Sequence, residues 1–169
     1  MTTLFDDGAD PTPGASRVTH GRDEAFTQLL LSSYRRLTGS SLSPAAPLGD
    51  QARWFYEDAP FGLLAHDTSA DPVFLYANRT AQQCFEYSWE EFVRLPSRLS
   101  APAEGQGDRA EFVRSVAEHG YASGYRGLRI AQSGRRFWIE DVTMWNLVDA
   151  DGLVRGQAAV FRSWTDLPH

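Results

Sequence analysis

From Tyr121 onward the chain consists of three long strand-forming runs separated by two tight turns, and nothing else in it narrows the fold as much. Tyr121 to Ala131 leads into Ser133-Gly134. Arg135 to Val148 leads into Asp149-Ala150-Asp151-Gly152, and Val154 to Thr165 completes the set. Long strands joined by short glycine turns become antiparallel neighbours, so the three form a meander. Ahead of them, Phe61 to His66 and Val73 to Ala77 read as two further strands around the turn Asp67 to Pro72. Asn78 caps a helix over Arg79 to Glu86. Ser88 and Glu91 make a capping box for a second short helix, which Pro96 ends. Ala101 to Gly107 reads as a loop, and Arg109 to His119 as a helix with Phe112, Val113 and Val116 on one side, closed by Gly120. Two strands, several short helices and three strands predict an α+β fold: one antiparallel five-stranded sheet with short helices on one face.

The N-terminal part is organised differently. Residues 1–20, rich in Asp, Gly, Pro, Thr and Ser, carry too little apolar surface to order themselves and read as a disordered tail. Residues 21–50 hold a helix and a linker. Over 22–38, Phe26, Leu29, Leu30, Ser33, Tyr34 and Leu37 recur at three- and four-residue spacing, giving one apolar face. Asp23 and Glu24 suit the positive end of the helix dipole, Arg35 and Arg36 the negative end, and Gly39 stops it. Ser40 to Gly49 is the linker, and a short helix over Gln51 to Asp58 opens the main domain, residues 51–169.

Charge and composition exclude several functions. A net charge of -6 argues against a direct nucleic-acid binder, which presents a basic face to phosphate. All 16 basic residues are Arg. One cysteine, Cys84, allows neither an internal disulfide nor a Cys-based zinc site, and suits a cytoplasmic setting. The N-terminus has no signal-peptide pattern, and no apolar run approaches the roughly 20 residues a membrane helix needs.

No catalytic motif is present. His20, His66, His119 and His169 are scattered, and the pairs Glu90-Glu91 and Glu140-Asp141 fit a helix start and opposite faces of a strand. Non-enzymatic function is therefore expected. The alternative is a small cone-shaped α+β enzyme with His66 or Asp67 as pocket acid or base. Cys84 reads as a small buried apolar side chain, and His119 as a helix-end residue bonding the last carbonyls. By alternation Phe137 and Trp145 share a sheet face and Trp138 takes the other. Two apolar faces imply that one packs on the short helices while the N-terminal helix, from the same chain or a second copy, covers the other. Gln157, Asn146, Arg129 and Thr143 put polar groups into partly buried strands, where they either bond one another or meet a ligand. Arg98 either binds an anion or pins its loop to a carboxylate. The pocket lining expected on these grounds is Tyr76, Cys84, Phe85, Phe112, Val116, Arg129, Phe137, Trp145 and Gln157.

The element order, with Tyr76-Ala77-Asn78 ending a strand, Cys84-Phe85 on the next helix, Tyr87-Ser88-Trp89-Glu90-Glu91-Phe92 after it and the Gly134 and Gly152 turns, resembles a PAS domain. Further motifs are Ser33-Tyr34-Arg35-Arg36-Leu37-Thr38-Gly39, Leu95-Pro96-Ser97-Arg98, Ser133-Gly134-Arg135-Arg136-Phe137, Trp145-Asn146-Leu147 and Gly156-Gln157-Ala158-Ala159. Together, over about residues 24–164, they resemble the MEKHLA family, a PAS-like group of stand-alone bacterial proteins and of modules in plant homeodomain-zipper transcription factors. The resemblance implies a sensory or regulatory module. Binding of an unidentified small molecule in an apolar pocket, with signalling through protein contacts, is one expectation; a ligand-free dimerisation or interaction module is the other. A homodimer through the N-terminal helix and a sheet face is expected, as is a separate regulatory partner; no membrane is implied. The cofactor is unknown.

Overall fold

The computed structural model describes residues 20–168; the expected disordered tail lies almost wholly outside the described residues. Helix α1, Glu24–Thr38, starts where the Asp23 carboxylate accepts the Phe26 amide at 2.9 Å and stops at Gly39, whose φ of 77° ends the helix at little steric cost. Helix α2, Gln51–Arg53, continues without a break into a π-helical turn, Trp54–Asp58. Strands β1, Gly62–His66, and β2, Phe74–Ala77, follow. Then come α3, Arg79–Phe85, α4, Trp89–Phe92, and a 3-10 turn at Ser97–Ser100. Helix α5, Ala103–His119, leads into β3, Tyr121–Ile130, β4, Arg136–Val148, and β5, Val154–Asp166.

The five strands form one sheet in the order β2-β1-β5-β4-β3 with every pair antiparallel. The C-terminal meander is as expected, and β1 closes on its last strand. Gly62 and Gly156 permit this pairing. A Cβ at Gly62 would lie 2.0 Å from the Phe161 ring, and one at Gly156 would lie 2.3 Å from the His66 carbonyl oxygen.

Two apolar layers sandwich the sheet. On one side α1 and the segment after the linker pack Phe26, Leu30, Tyr34 and Phe55 on Leu63, Trp145, Leu147 and Val160. On the other, Phe85 and Phe92 of α3 and α4 pack on Leu64, Phe137, Ile139, Val142 and Phe161. The two-sided sheet is thus covered within one chain. Trp145 Nε1 donates to the Leu30 carbonyl at 3.2 Å, and Tyr34 meets the Trp145 ring edge-on at 4.9 Å. Ser33 Oγ accepts the Val148 amide at 2.9 Å and donates to its carbonyl at 3.1 Å.

Three expectations need correction. Residues from Ala103 belong to α5 and are not loop. Gly105 lets the helix settle on β3, since a Cβ there would stand 3.2 Å from the Leu128 carbonyl oxygen. Phe137 and Trp145 lie on opposite sides of the sheet, because Asp141, at φ 50°, interrupts the alternation between them. Tyr76 faces the α1 layer although Phe74 faces the other. The register between β1 and β2 shifts between Ala65 and His66, and one extra residue turns a side chain over.

Candidate functional site

Between α5 and the inner face of the sheet lies a cavity floored by Leu64, His66, Ile139, Val142, Met144 and Gln157 and walled by Phe112 and Val113 of α5. The cavity is small, about 30 Å³ measured to the centre of a water-sized sphere, and has room for a molecule of a few heavy atoms. Much of its apolar part comes from β4, because the break at Asp141 turns Val142 and Met144 to the side of Ile139. Its polar part is unusual. Arg109 reaches it from α5 and Arg129 from β3. Arg129 is 6% exposed, and one of its nitrogens donates to the Leu128 carbonyl at 2.8 Å. Among the described residues no carboxylate lies within ion-pair distance of either guanidinium. Burial, with the Arg129 charge adding to it, lowers the Arg109 pKa to about 10. Burial lowers that of Arg129 too, with the Tyr125 hydroxyl opposing.

His66, 4% exposed, donates through Nδ1 to the Asp67 carbonyl at 3.0 Å, which leaves Nε2 buried without a partner. Burial first, then the Arg109 charge, pulls its pKa below the ordinary 6.5. The Tyr125 hydroxyl is also buried without a partner, while its ring stacks on Phe112 at 4.0 Å and 8°. Gly127 leaves room for this group: a Cβ there would come within 2.7 Å of both Arg129 and Tyr125.

Of the residues expected to line a pocket, Phe112, Arg129 and Gln157 line this cavity. Phe85 and Phe137 belong to the packed core beyond it, 5.0 Å apart, and Val116, on α5 itself, is wholly buried outside the cavity lining. Tyr76 and Trp145 lie across the sheet against α1. Cys84 is buried on α3, and burial pushes its thiol pKa up to about 11, away from a reactive thiolate. Gln157 Nε2 donates to Asn146 Oδ1 at 3.1 Å and to the Val113 carbonyl at 3.3 Å, and Asn146 Nδ2 to the Ala117 carbonyl at 3.4 Å. These two side chains hold α5 on the sheet. Thr143 pairs with Ser123 at 3.0 Å. Arg98 pins its loop to Asp71 at 3.1 Å, and exposed His119 bonds the Ser115 carbonyl at 2.8 Å within its own helix.

Sequence reasoning passed over Arg109 and Tyr125, and named His66 in a pocket only as the acid or base of the enzymatic alternative. The signal available was the position of Arg109 one turn before Phe112 and Val113, on the inward stripe of its helix.

A five-stranded antiparallel sheet of this strand order, with α3 to α5 on one face, is the architecture of a PAS-like domain. Similar folds include the PAS domain of a protein from Colwellia psychrerythraea, at 16% identity and TM-score 0.57 over 71% of this chain and 96% of that one. A light-oxygen-voltage domain studied with a flavin analogue matches at 20% identity and TM-score 0.53, over 64% of this chain and 78% of that one. An RNA-binding light-oxygen-voltage receptor matches at 22% and 0.57 over 75% of this chain, which spans only 35% of that receptor. No curated protein matches the chain. The MEKHLA domain model matches residues 24–166, and the chain belongs to the MEKHLA domain family.

Proposed function

We propose that this chain is a non-enzymatic sensory module that binds a small molecule in the cavity under α5 and passes the change in α5 to other proteins through α1. The observation that carries this reading is the cavity itself: apolar walls, with His66 Nε2 and the Tyr125 hydroxyl buried in its lining without partners. Small-molecule sites have this composition, and buried polar atoms without partners are rare in packed cores. Helix α5 is suited to respond. Two side-chain amides tie it to the sheet, and its end at Gly120 lies against Leu37 of α1. No helix among the described residues is long and apolar enough to cross a membrane.

An enzymatic reading has less support. Asp67 turns its carboxylate to the Ser69 hydroxyl and the Val73 amide, at 2.6 and 3.0 Å, and offers His66 only a backbone carbonyl. A flavin is not carried over from the light-oxygen-voltage domain studied with a flavin analogue, since the cavity has room for only a few heavy atoms. A second reading, an interaction module without ligand, is favoured by the narrowness of the cavity. Association of two copies is part of either reading. It requires a surface other than the α1-facing sheet, which the same chain already covers.

Native mass spectrometry of freshly purified protein, with an absorbance scan, tests the proposal. A bound species of small mass supports the sensor. A bare chain that also fails to bind any compound in a screen of small metabolites rejects it in favour of the interaction module, and the same spectrum reads the oligomeric mass.

A further inference from the structure

A chain of net charge -6 places two guanidinium groups in the cavity under α5 with no carboxylate beside them among the described residues. Like charges brought out of water repel each other and lose hydration, so an arrangement of this kind costs the native state unless a counter-charge is supplied. The arginines that make ion pairs among the described residues do so at exposed or half-buried positions, as Arg98 does with Asp71 and Arg155 with Asp149. The groups around the arginines also lack partners: His66 Nε2 and the Tyr125 hydroxyl. The remaining lining is apolar except for Ser100 and Gln157, which bond within the protein, and it leaves space for only a few heavy atoms.

We infer that the cavity takes a small organic carboxylate, its anionic end between Arg109 and Arg129 and its short apolar body against Phe112, Val142 and Met144. This names the ligand class for the sensor proposed above and rests on that reading. Planar carboxylates match guanidinium in charge and in bidentate geometry. Because Arg109 belongs to α5 and Arg129 to β3, the anion ties the helix to the sheet.

The test uses the full chain. Thermal denaturation is followed with sodium acetate, propionate and butyrate against sodium chloride at matched ionic strength, with propionamide and inorganic phosphate as controls. Calorimetric titration then measures Kd. A carboxylate is expected to raise Tm by several °C at about 100-fold excess over its Kd. Propionamide and phosphate are expected to do no more than chloride. Arg109→Gln, on the half-exposed side of the cavity, weakens carboxylate binding about tenfold or more, and Arg109→Lys recovers part of it. Arg129→Met abolishes the response while the unliganded variant melts no lower than the wild type, because an uncompensated buried charge is gone. Three results overturn the inference: carboxylates acting no differently from chloride, phosphate or propionamide acting equally well, or both variants responding like the wild type. A neutral molecule found in the cavity by native mass spectrometry rejects the carboxylate and leaves the sensor standing. Failure of every small compound to bind, with Arg129→Met melting several °C lower, rejects both.

Discussion

At the scale of single residues, Asn78 joins the backbone of four other residues through one side chain that makes four hydrogen bonds. Its Oδ1 accepts the Leu63 and Ala81 amides, both at 3.0 Å, and its Nδ2 donates to the Phe55 and Phe61 carbonyls at 3.0 and 2.9 Å. It is fully buried, so one amide caps α3 and also fastens the π-helical turn to β1. Asn78→Asp points a carboxylate at two carbonyls and removes both donors. Chemical denaturation should show a loss of roughly 4 kcal/mol or more. An unchanged midpoint would mean that the four bonds contribute nothing net. His66 makes a second case. Its pKa lies below 6.5 in the native state, so as pH falls past 6.5 the unfolded chain takes up a proton first. Stability therefore declines from pH 6.5 downward until native His66 protonates as well. The groups that set this are the buried environment, the Arg109 charge and the Asp67 carbonyl and carboxylate. His66→Gln should flatten that stretch of a stability-against-pH curve. Both residues are visible in the sequence, Asn78 as a cap; its bonds to Phe55 and Phe61 are not, because they join segments that only the tertiary fold brings together.

At the scale of elements, the strands, α1 and the capping box were legible because periodicity and cap chemistry are local. What was not legible sits where the period breaks. Asp141 and the shifted register at Ala65 each insert one residue's worth of turn and send Trp145 and Tyr76 to the far face. The start of α5 was missed because two glycines and a proline read as loop, whereas the close approach of Gly105 to β3 makes the helix pack. Of the candidate site, Phe112 and Val113 could be read from the helical spacing of α5, whereas the floor could not, because the break at Asp141 brings Val142 and Met144 to the side of Ile139. The meeting of Arg109 with Arg129 could not, since nothing in their spacing says that they converge. Helix α1 invites the plainest test. Leu30→Ala leaves a void under it, and a loss of about 2–5 kcal/mol is expected in denaturant unfolding. Deletion of residues 1–39 bares the Trp145 face. Light scattering should then report self-association at concentrations where the full chain is unaffected. If the shortened chain stays at its original oligomeric state, α1 is dispensable cover.

At the scale of the whole molecule, residues 24–166 build two cores that share one sheet. Far-UV dichroism and tryptophan fluorescence should therefore lose their native signals at one temperature. Separate transitions would show α1 melting as a unit of its own. The shared sheet has a further consequence, which turns on neighbouring residues of β4. Trp145 holds α1 by its indole, and Asn146 holds α5 by its amide. The two helices lie on opposite sides of the molecule, yet along the backbone their anchors are one peptide unit apart, about 3.8 Å. Communication between front and back thus requires no relay of side chains through the core: a small rotation of one β4 peptide is felt on both sides at once.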